Sequence, residues 1–174
     1  MLGAWNFDNS VHIYLGRYMI TINLVCVGSL KEKFWKDAVS EYQKRISAFA
    51  KLNVIEVKES VYQNCERQIL VAKKEEAERL KKYATGHTIA LEIGGKTFTS
   101  EGFAGHINNL MNMGNSCITF FIGGSFGLDK QFSDSLNEKL SFSNFTFPHQ
   151  LMRVILLEQI YRAFTIISHK TYHK

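Results

Sequence analysis

Apolar runs of strand length alternate with segments of helical periodicity along most of this 174-residue chain, and that alternation is the tightest constraint on its fold. Residues 20–27 read as a strand closed by Gly28. Residues 31–50 follow with Phe34, Trp35, Ala38, Val39, Tyr42, Ile46 and Phe49 at helical spacing. Further strands are expected at 52–57, 87–93 and 117–122, with a brief one at 140–142. Helices are expected at 63–83, 100–113 and 129–136, and Pro148 opens a last one at a first-turn position, where its missing N–H costs nothing. Strands that alternate with helices must be joined by crossovers. The expected class is therefore α/β, a mostly parallel sheet with helices on both faces. Ligands bind such sheets beyond the carboxyl ends of the strands. Three exit turns qualify: Gly94-Gly95 after Ile93, the turn after Ile122, and the segment after Phe142.

The composition, 45% hydrophobic and 21% charged, is that of an ordinary globular protein, and the length suits one domain with a real core. A net charge of +5 permits a polyanionic partner without requiring one. Its distribution is more informative. From Pro148 onward Arg153, Arg162, Lys170 and Lys174 face one acid, Glu158, and His149, His169 and His173 add latent charge. A solvated basic tail is the plain alternative. The three cysteines, Cys26, Cys65 and Cys117, form no CxxC pair. That argues against a disulfide framework or zinc site and fits a reducing cytosol. No metal-ligand pattern is readable, and no apolar run reaches membrane-spanning length. Residues 1–18 mix aromatic and polar residues without a period, and Met19 stands directly before the first strand. Met19 is expected to be the working start, with 1–18 an extension outside the fold and 19–174 one domain.

The last helix is apolar around nearly its whole circumference: Leu151, Met152, Val154, Ile155, Leu156, Leu157, Ile160, Tyr161, Ala163, Phe164, Ile166 and Ile167. Such a helix must be covered on more than one side, by a partner subunit or by the rest of its own chain. A subunit interface is the expectation. The turn Gly123-Gly124-Ser125-Phe126-Gly127 is neither a P-loop nor a dinucleotide fingerprint, and tight geometry needs such glycines as often as a ligand does. His149 and Arg153, one turn apart at a helix start, suit an anion or a cap with a surface cation. Glu158 and Arg162 at i,i+4 read as a helix salt bridge before a catalytic pair.

An ordered set of motifs then identifies a resemblance. It comprises Val25-Cys26-Val27-Gly28, Leu91-Glu92-Ile93-x-Gly95-Lys96, Ile122-Gly123-Gly124-x-x-Gly127-Leu128 and Leu140-Ser141-Phe142-Ser143. It continues with Thr146-Phe147-Pro148-His149-Gln150-x-x-Arg153-Val154, Glu158-Gln159-x-Tyr161-Arg162-Ala163 and the closing Tyr172-His173-Lys174. From Met19 to Lys174 the chain resembles the RlmH family of ribosomal large-subunit methyltransferases, within the SPOUT (α/β-knot) superfamily. The resemblance implies S-adenosyl-L-methionine as cofactor and N3 of a pseudouridine in 23S rRNA of the ribosome as acceptor. It also implies a cytoplasmic enzyme and a C-terminal deep trefoil knot, an exception to the rule against knots. The expected cofactor residues are Leu91, Gly123, Phe142, Ser143, Asn144, Phe145, Thr146 and Phe147. Arg153, Arg162, Tyr172, His173 and Lys174 are the expected RNA contacts. His149, Arg153, Arg162 and His173 are candidates for removing the N3 proton or stabilising the resulting anion. Another RNA acceptor, or a ribosome-binding module without catalysis, remains the alternative. On this reading a valine at Gly123 projects into the cofactor's path, and a charge at Ile160 or Phe164 disrupts a homodimer, yielding monomer or aggregate.

Overall fold

The computed structural model describes residues 19–61 and 65–170. Residues 1–18, 62–64 and 171–174 lie outside the described residues, and with them the expected extension and Tyr172, His173 and Lys174. Among the described residues five strands and five helices follow in order: β1 (Thr21–Val27), α1 (Lys33–Ile46), β2 (Lys51–Val57), α2 (Glu66–Lys81), β3 (His87–Thr97), α3 (Ser100–Asn112), β4 (Cys117–Ile122), α4 (Lys130–Asp134), β5 (Glu138–Ser141) and α5 (His149–Ile167). Pro148 is the N-cap of α5 rather than a first-turn residue, and its carbonyl accepts the Met152 N–H at 3.0 Å.

The sheet runs β2-β1-β4-β3-β5 with every pair parallel. Side chains alternate across it. Ile22, Leu24 and Cys26 of β1 join Ile118, Phe120 and Ile122 of β4 on one face, under α1, α3 and α5. Val25, Val27, Ala90 and Phe121 point to the other, under Ala77 and Leu80 of α2 and Phe132 of α4. Both faces are covered, which is why the central strands read as continuous apolar runs. The helices α1 and α3 carry the chain one way across the sheet, and α2 and α4 carry it back over the opposite face. Every crossover therefore keeps the same hand. The exits of β1 and β4 diverge as a result, leaving a crevice between their carboxyl ends.

β3 departs from expectation. Gly94-Gly95 is not its exit turn. Leu91 and Lys96 both register on Leu140, so residues 92–95 leave the ladder and return to it within one strand. A Cβ on Gly95 would lie 2.5 Å from the Leu140 carbonyl carbon. The glycine is required there because the returning backbone crosses β5 at contact distance.

α5 lies between α1 and α3 and supplies Leu156, Leu157, Ile160, Ala163 and Phe164 to the larger core. Phe164 stacks on Phe49 with centroids 5.9 Å apart. Ile160 is 1% exposed and Phe164 4%, both against their own chain. Of the two outcomes expected of a charge there, monomer or aggregate, the monomer is corrected: the charge would strike the core of the single chain.

The helix ends on His169, whose φ of 52° is left-handed, while Lys170 N–H returns to the Thr165 carbonyl at 2.9 Å. A side chain in that conformation is strained where glycine is not. His169→Gly should therefore stabilise the protein by about 1 kcal/mol, a rise in Tm of roughly 2–4 °C in calorimetry. An unchanged or lowered Tm would count against this.

The cysteines are free, and Cys26 is wholly buried. Burial pushes its thiol up to about 12, against a smaller opposing pull from Arg153. Thiolate is the nucleophile. Iodoacetamide at pH 8 should modify exposed Cys65 and spare Cys26 until urea unfolds the chain; early labelling of Cys26 in intact-mass spectra would contradict the burial.

Candidate active site

A cavity of about 270 Å³ opens at the carboxyl end of β3 and β5. Its walls are the rings of Phe98, Phe103, Phe142 and Phe147, with Leu140 and Ile155 between them. Phe142 meets Phe103 edge-on at 6.1 Å. Polar groups stand among these rings: Ser100 Oγ donates to Gln159 Oε1 at 3.0 Å, joining the start of α3 to α5, and Ser141 also lines the space. Two serines shape the segment that follows β5. Ser141 Oγ donates to the Ser143 carbonyl at 3.1 Å, and Ser143 Oγ accepts the Phe145 N–H at 3.0 Å, a side-chain turn of the kind serine favours.

Of the expected cofactor residues, Phe142 and Phe147 thus line one cavity, with Ser143 holding the loop between them. Asn144, Phe145 and Thr146 are exposed, Phe145 at 77%. Leu91 lies in register with Leu140, beside the excursion of β3. Gly123 is buried at the end of β4. A Cβ there would lie 2.4 Å from the Gly127 carbonyl carbon and 2.6 Å from the Leu128 nitrogen. The turn folds back on itself, with Gly127 N–H donating to the Gly124 carbonyl at 3.0 Å and Gly127 at a φ of 71°. A valine at Gly123 therefore meets the return limb of its own turn before any ligand, which corrects the expectation that it would act by obstruction alone.

The crevice between β1 and β4 has a different character. Ser125 Oγ donates to Glu59 Oε1 at 3.5 Å, and the positions where Gly28 and Gly124 would carry a Cβ lie 3.5 and 3.6 Å from Glu59 carboxylate oxygens. Glu76, 6% exposed, accepts the Ser60 N–H at 2.9 Å; burial raises its carboxyl above the usual range, and Glu59 adds to the rise. His149 faces the same region, half-buried. Burial, then the Arg153 guanidinium and Lys31, hold its imidazole below the ordinary histidine range, against an opposing pull from Glu59. At pH 7 that favours the neutral ring, which can accept a proton.

Arg153 is not a surface cation. It is 0% exposed: Nη1 donates to Glu56 Oε1 at 2.8 Å, and Nη2 to the carbonyls of Val27 and Gly28 at 2.9 and 2.8 Å. These partners enclose the guanidinium inside its own chain, which corrects the expectation of an RNA or anion contact from this residue. Arg162 is half-buried and its Nε donates to Glu158 Oε1 at 3.0 Å, the i,i+4 salt bridge that the spacing suggested. Gln159 Nε2 donates to the other oxygen of Glu158 at 2.6 Å.

One constellation was not legible beforehand. His87 Nε2 and His106 Nε2 both reach Glu138 Oε1, at 2.8 and 2.7 Å, and the Phe98 ring, a cavity wall, stacks on His106 at 5.0 Å. These residues come from β3, α3 and β5, and no local spacing signals their meeting. Among the described residues no group of three or more His, Cys, Asp or Glu is placed to hold a metal ion, and no helix is long and apolar enough to cross a membrane.

Comparison with known proteins adds to this geometry. A family model described as "Predicted SPOUT methyltransferase" matches residues 20–173. The chain is 48% identical over 162 residues to the ribosomal RNA large subunit methyltransferase H of Ruminiclostridium cellulolyticum, covering 88% of this chain and 99% of that protein. It is 44% identical over 157 residues to the protein of the same name from Fusobacterium nucleatum, covering 89% and 100%. Among solved structures it is similar in fold to "a probable methylase family protein" from Haemophilus influenzae, with a TM-score of 0.54, 11% identity and coverage of 88% and 70%. A methyltransferase structure from Bordetella pertussis, also described as probable, gives a TM-score of 0.52 at 9% identity, covering 88% and 99%.

Proposed function

Because the chain belongs to the SPOUT methyltransferase family, we propose that it methylates N3 of a pseudouridine in 23S rRNA of the large ribosomal subunit, with S-adenosyl-L-methionine as donor. The observation that carries this reading is the identity of 44% and 48% to two methyltransferases H, spread over almost the whole length of each. The cavity between β3, β5 and α5 suits the cofactor chemically. Aromatic side chains wall a space for a purine, and Ser100, Ser141 and Gln159 offer hydroxyl and amide groups to its polar edges. The bound cofactor supplies an electrophilic methyl group on a cationic sulfur.

The chain's own residues hold the cofactor, fix the acceptor base and take its proton. N3 must lose a proton to attack, and His149, neutral at pH 7, is the group we assign to accept it. Arg162 and the segment Tyr172-His173-Lys174 supply cationic and stacking contacts to RNA. Leu151, half-buried on α5 and outside the larger core cluster, supports a homodimer in which this helix meets its copy. The reading extends to one domain over 19–174, a knotted path after β5, and a cytoplasmic site of action beside the ribosome.

The test is labelled methyl transfer into ribosomes that lack the modification, together with calorimetry of S-adenosylhomocysteine binding. Incorporation at a 23S pseudouridine is the expected result. No incorporation into ribosomes, or incorporation at another nucleotide, would refute the assignment. Removing residues 172–174 should leave cofactor affinity within about threefold and lower methyl transfer at least about tenfold, the effect of about 1.4 kcal/mol in the transition state. Parental transfer by the truncated chain would remove the tail from the site.

A further inference from the structure

We propose that Arg153 is a positioning residue for methyl transfer, whose buried guanidinium fastens the first turns of α5, and with them His149, to the exit turn of β1. This rests on the methyltransferase reading above. The guanidinium reaches across 126 residues to the Val27 carbonyl, 125 to that of Gly28 and 97 to Glu56. Glu56 Oε1 in turn accepts the Leu30 N–H at 2.9 Å, so the exit of β1 is held on both sides of Gly28. A second, independent tie runs the same way: Gln150 Oε1 accepts the Lys31 N–H at 3.2 Å. Two side chains from the start of α5 therefore grip residues 27–31.

Stability alone does not account for this arrangement. Burying a cation is costly even when it is paired, and a well-packed apolar side chain of similar volume often does as well or better. Here the cation is not fully saturated, because Nε has no hydrogen-bond partner among the described residues. What an apolar side chain could not do is hold two inward-facing carbonyls at the carboxyl end of a central strand. That end borders the crevice where parallel sheets of this topology take ligands. His149 stands one helical turn before Arg153, on the same side of α5. The charged groups around its ring come from three elements: Arg153 on α5, Glu59 after β2 and Lys31 after β1. Fixing α5 to the β1 exit fixes the imidazole among them. A displacement of about 1 Å at a reacting group can cost roughly 100-fold in rate.

Arg153→Lys retains the charge but cannot span three acceptors with one ammonium. At a temperature where circular dichroism shows parent and variant fully folded, its kcat on ribosomes should fall about 100-fold. Its KM for ribosomes and its affinity for S-adenosylhomocysteine should stay within about threefold, a change of about 0.7 kcal/mol or less. The acid limb of the kcat–pH profile, which reports the base, should stay put in Arg153→Lys and move to higher pH in Arg153→Met, because the neighbouring cation is then gone. If Arg153→Met does not fold, Gln150→Ala provides the second reading: it breaks the other tie at the surface and should lower kcat about tenfold with the same affinities. A merely structural Arg153 would lower Tm while leaving kcat and the acid limb of the folded enzyme at parental values, and that result would overturn the inference. An inactive parent would overturn the methyltransferase reading itself, which separates the two failures.

Discussion

Gly123→Ala should lose S-adenosylmethionine binding beyond the reach of calorimetry and about 3 kcal/mol of stability together. A single methyl group is enough because the atoms it meets are backbone. The carbonyl carbon of Gly127 lies 2.4 Å from the new Cβ and the nitrogen of Leu128 2.6 Å, and neither can rotate aside as a side chain would. The turn must open, breaking the contact between Gly124 and Gly127 and moving the end of β4, the strand that pairs with β3. Gly94→Ala is the matched control. Among the described residues nothing lies within 4 Å of a Cβ at Gly94, so that variant should bind and unfold like the parent. Urea melts and S-adenosylhomocysteine titrations read both effects. If Gly123→Ala binds within threefold of the parent, the turn is not part of the cofactor site.

Ile160→Glu should abolish folding instead of releasing a folded monomer. The residue is 1% exposed among Leu156, Leu157, Ala163 and the inner face of β4. An ionised carboxylate there has no partner, and either its burial or its forced protonation costs about 4 kcal/mol or more on top of the lost packing. That approaches the whole stability of a typical domain, roughly 5–15 kcal/mol. Insoluble or unfolded protein is expected. Leu151→Glu lies outside that core cluster, on a half-buried position of the same helix. It should give folded protein with native circular dichroism and a weakened dimer. Light scattering distinguishes the two, and a folded, monomeric Ile160→Glu would contradict the core assignment.

These two positions also show where sequence was readable and where it was not. The parallel α/β class was legible because the central strands β1 and β4 are buried on both sides and so carry unbroken apolar runs. The limits of β4 were read to the residue. For α5 the same logic stopped short. Apolar residues all round a helix say that it is covered, and nothing in their order divides the cover between one chain and its copy. In β3, Gly94-Gly95 carries the ordinary mark of a turn, whereas Gly95 answers to the backbone of Leu140, a residue distant in sequence. Arg153 is the sharpest case. A lone arginine beside a histidine at a helix start suggests a surface anion site, and its actual partners, Val27, Gly28 and Glu56, lie 97 to 126 residues earlier. The family motif marks such a residue but not what it touches. In the same way Phe142 and Phe147 were named for the cofactor, while Phe98, Ser100 and Gln159, which complete the cavity, were not.

The placement of α5 has a consequence for how the chain reaches its native state. The larger core lies between the sheet and three helices, and the one in the middle is made last. A chain emerging from its amino end can form β1, α1 and β2 early, yet the apolar face they share stays open until residues 149–167 arrive. Contacts of such long sequence separation are slow to form. An exposed face of this kind invites aggregation in the meantime. Folding kinetics should therefore show a late phase that buries tyrosine and phenylalanine surface around Phe49, Tyr161 and Phe164. Substitutions in α5 that weaken this docking should speed unfolding more than they slow the earlier steps. Completion of the fold then waits for the last turns of the last helix.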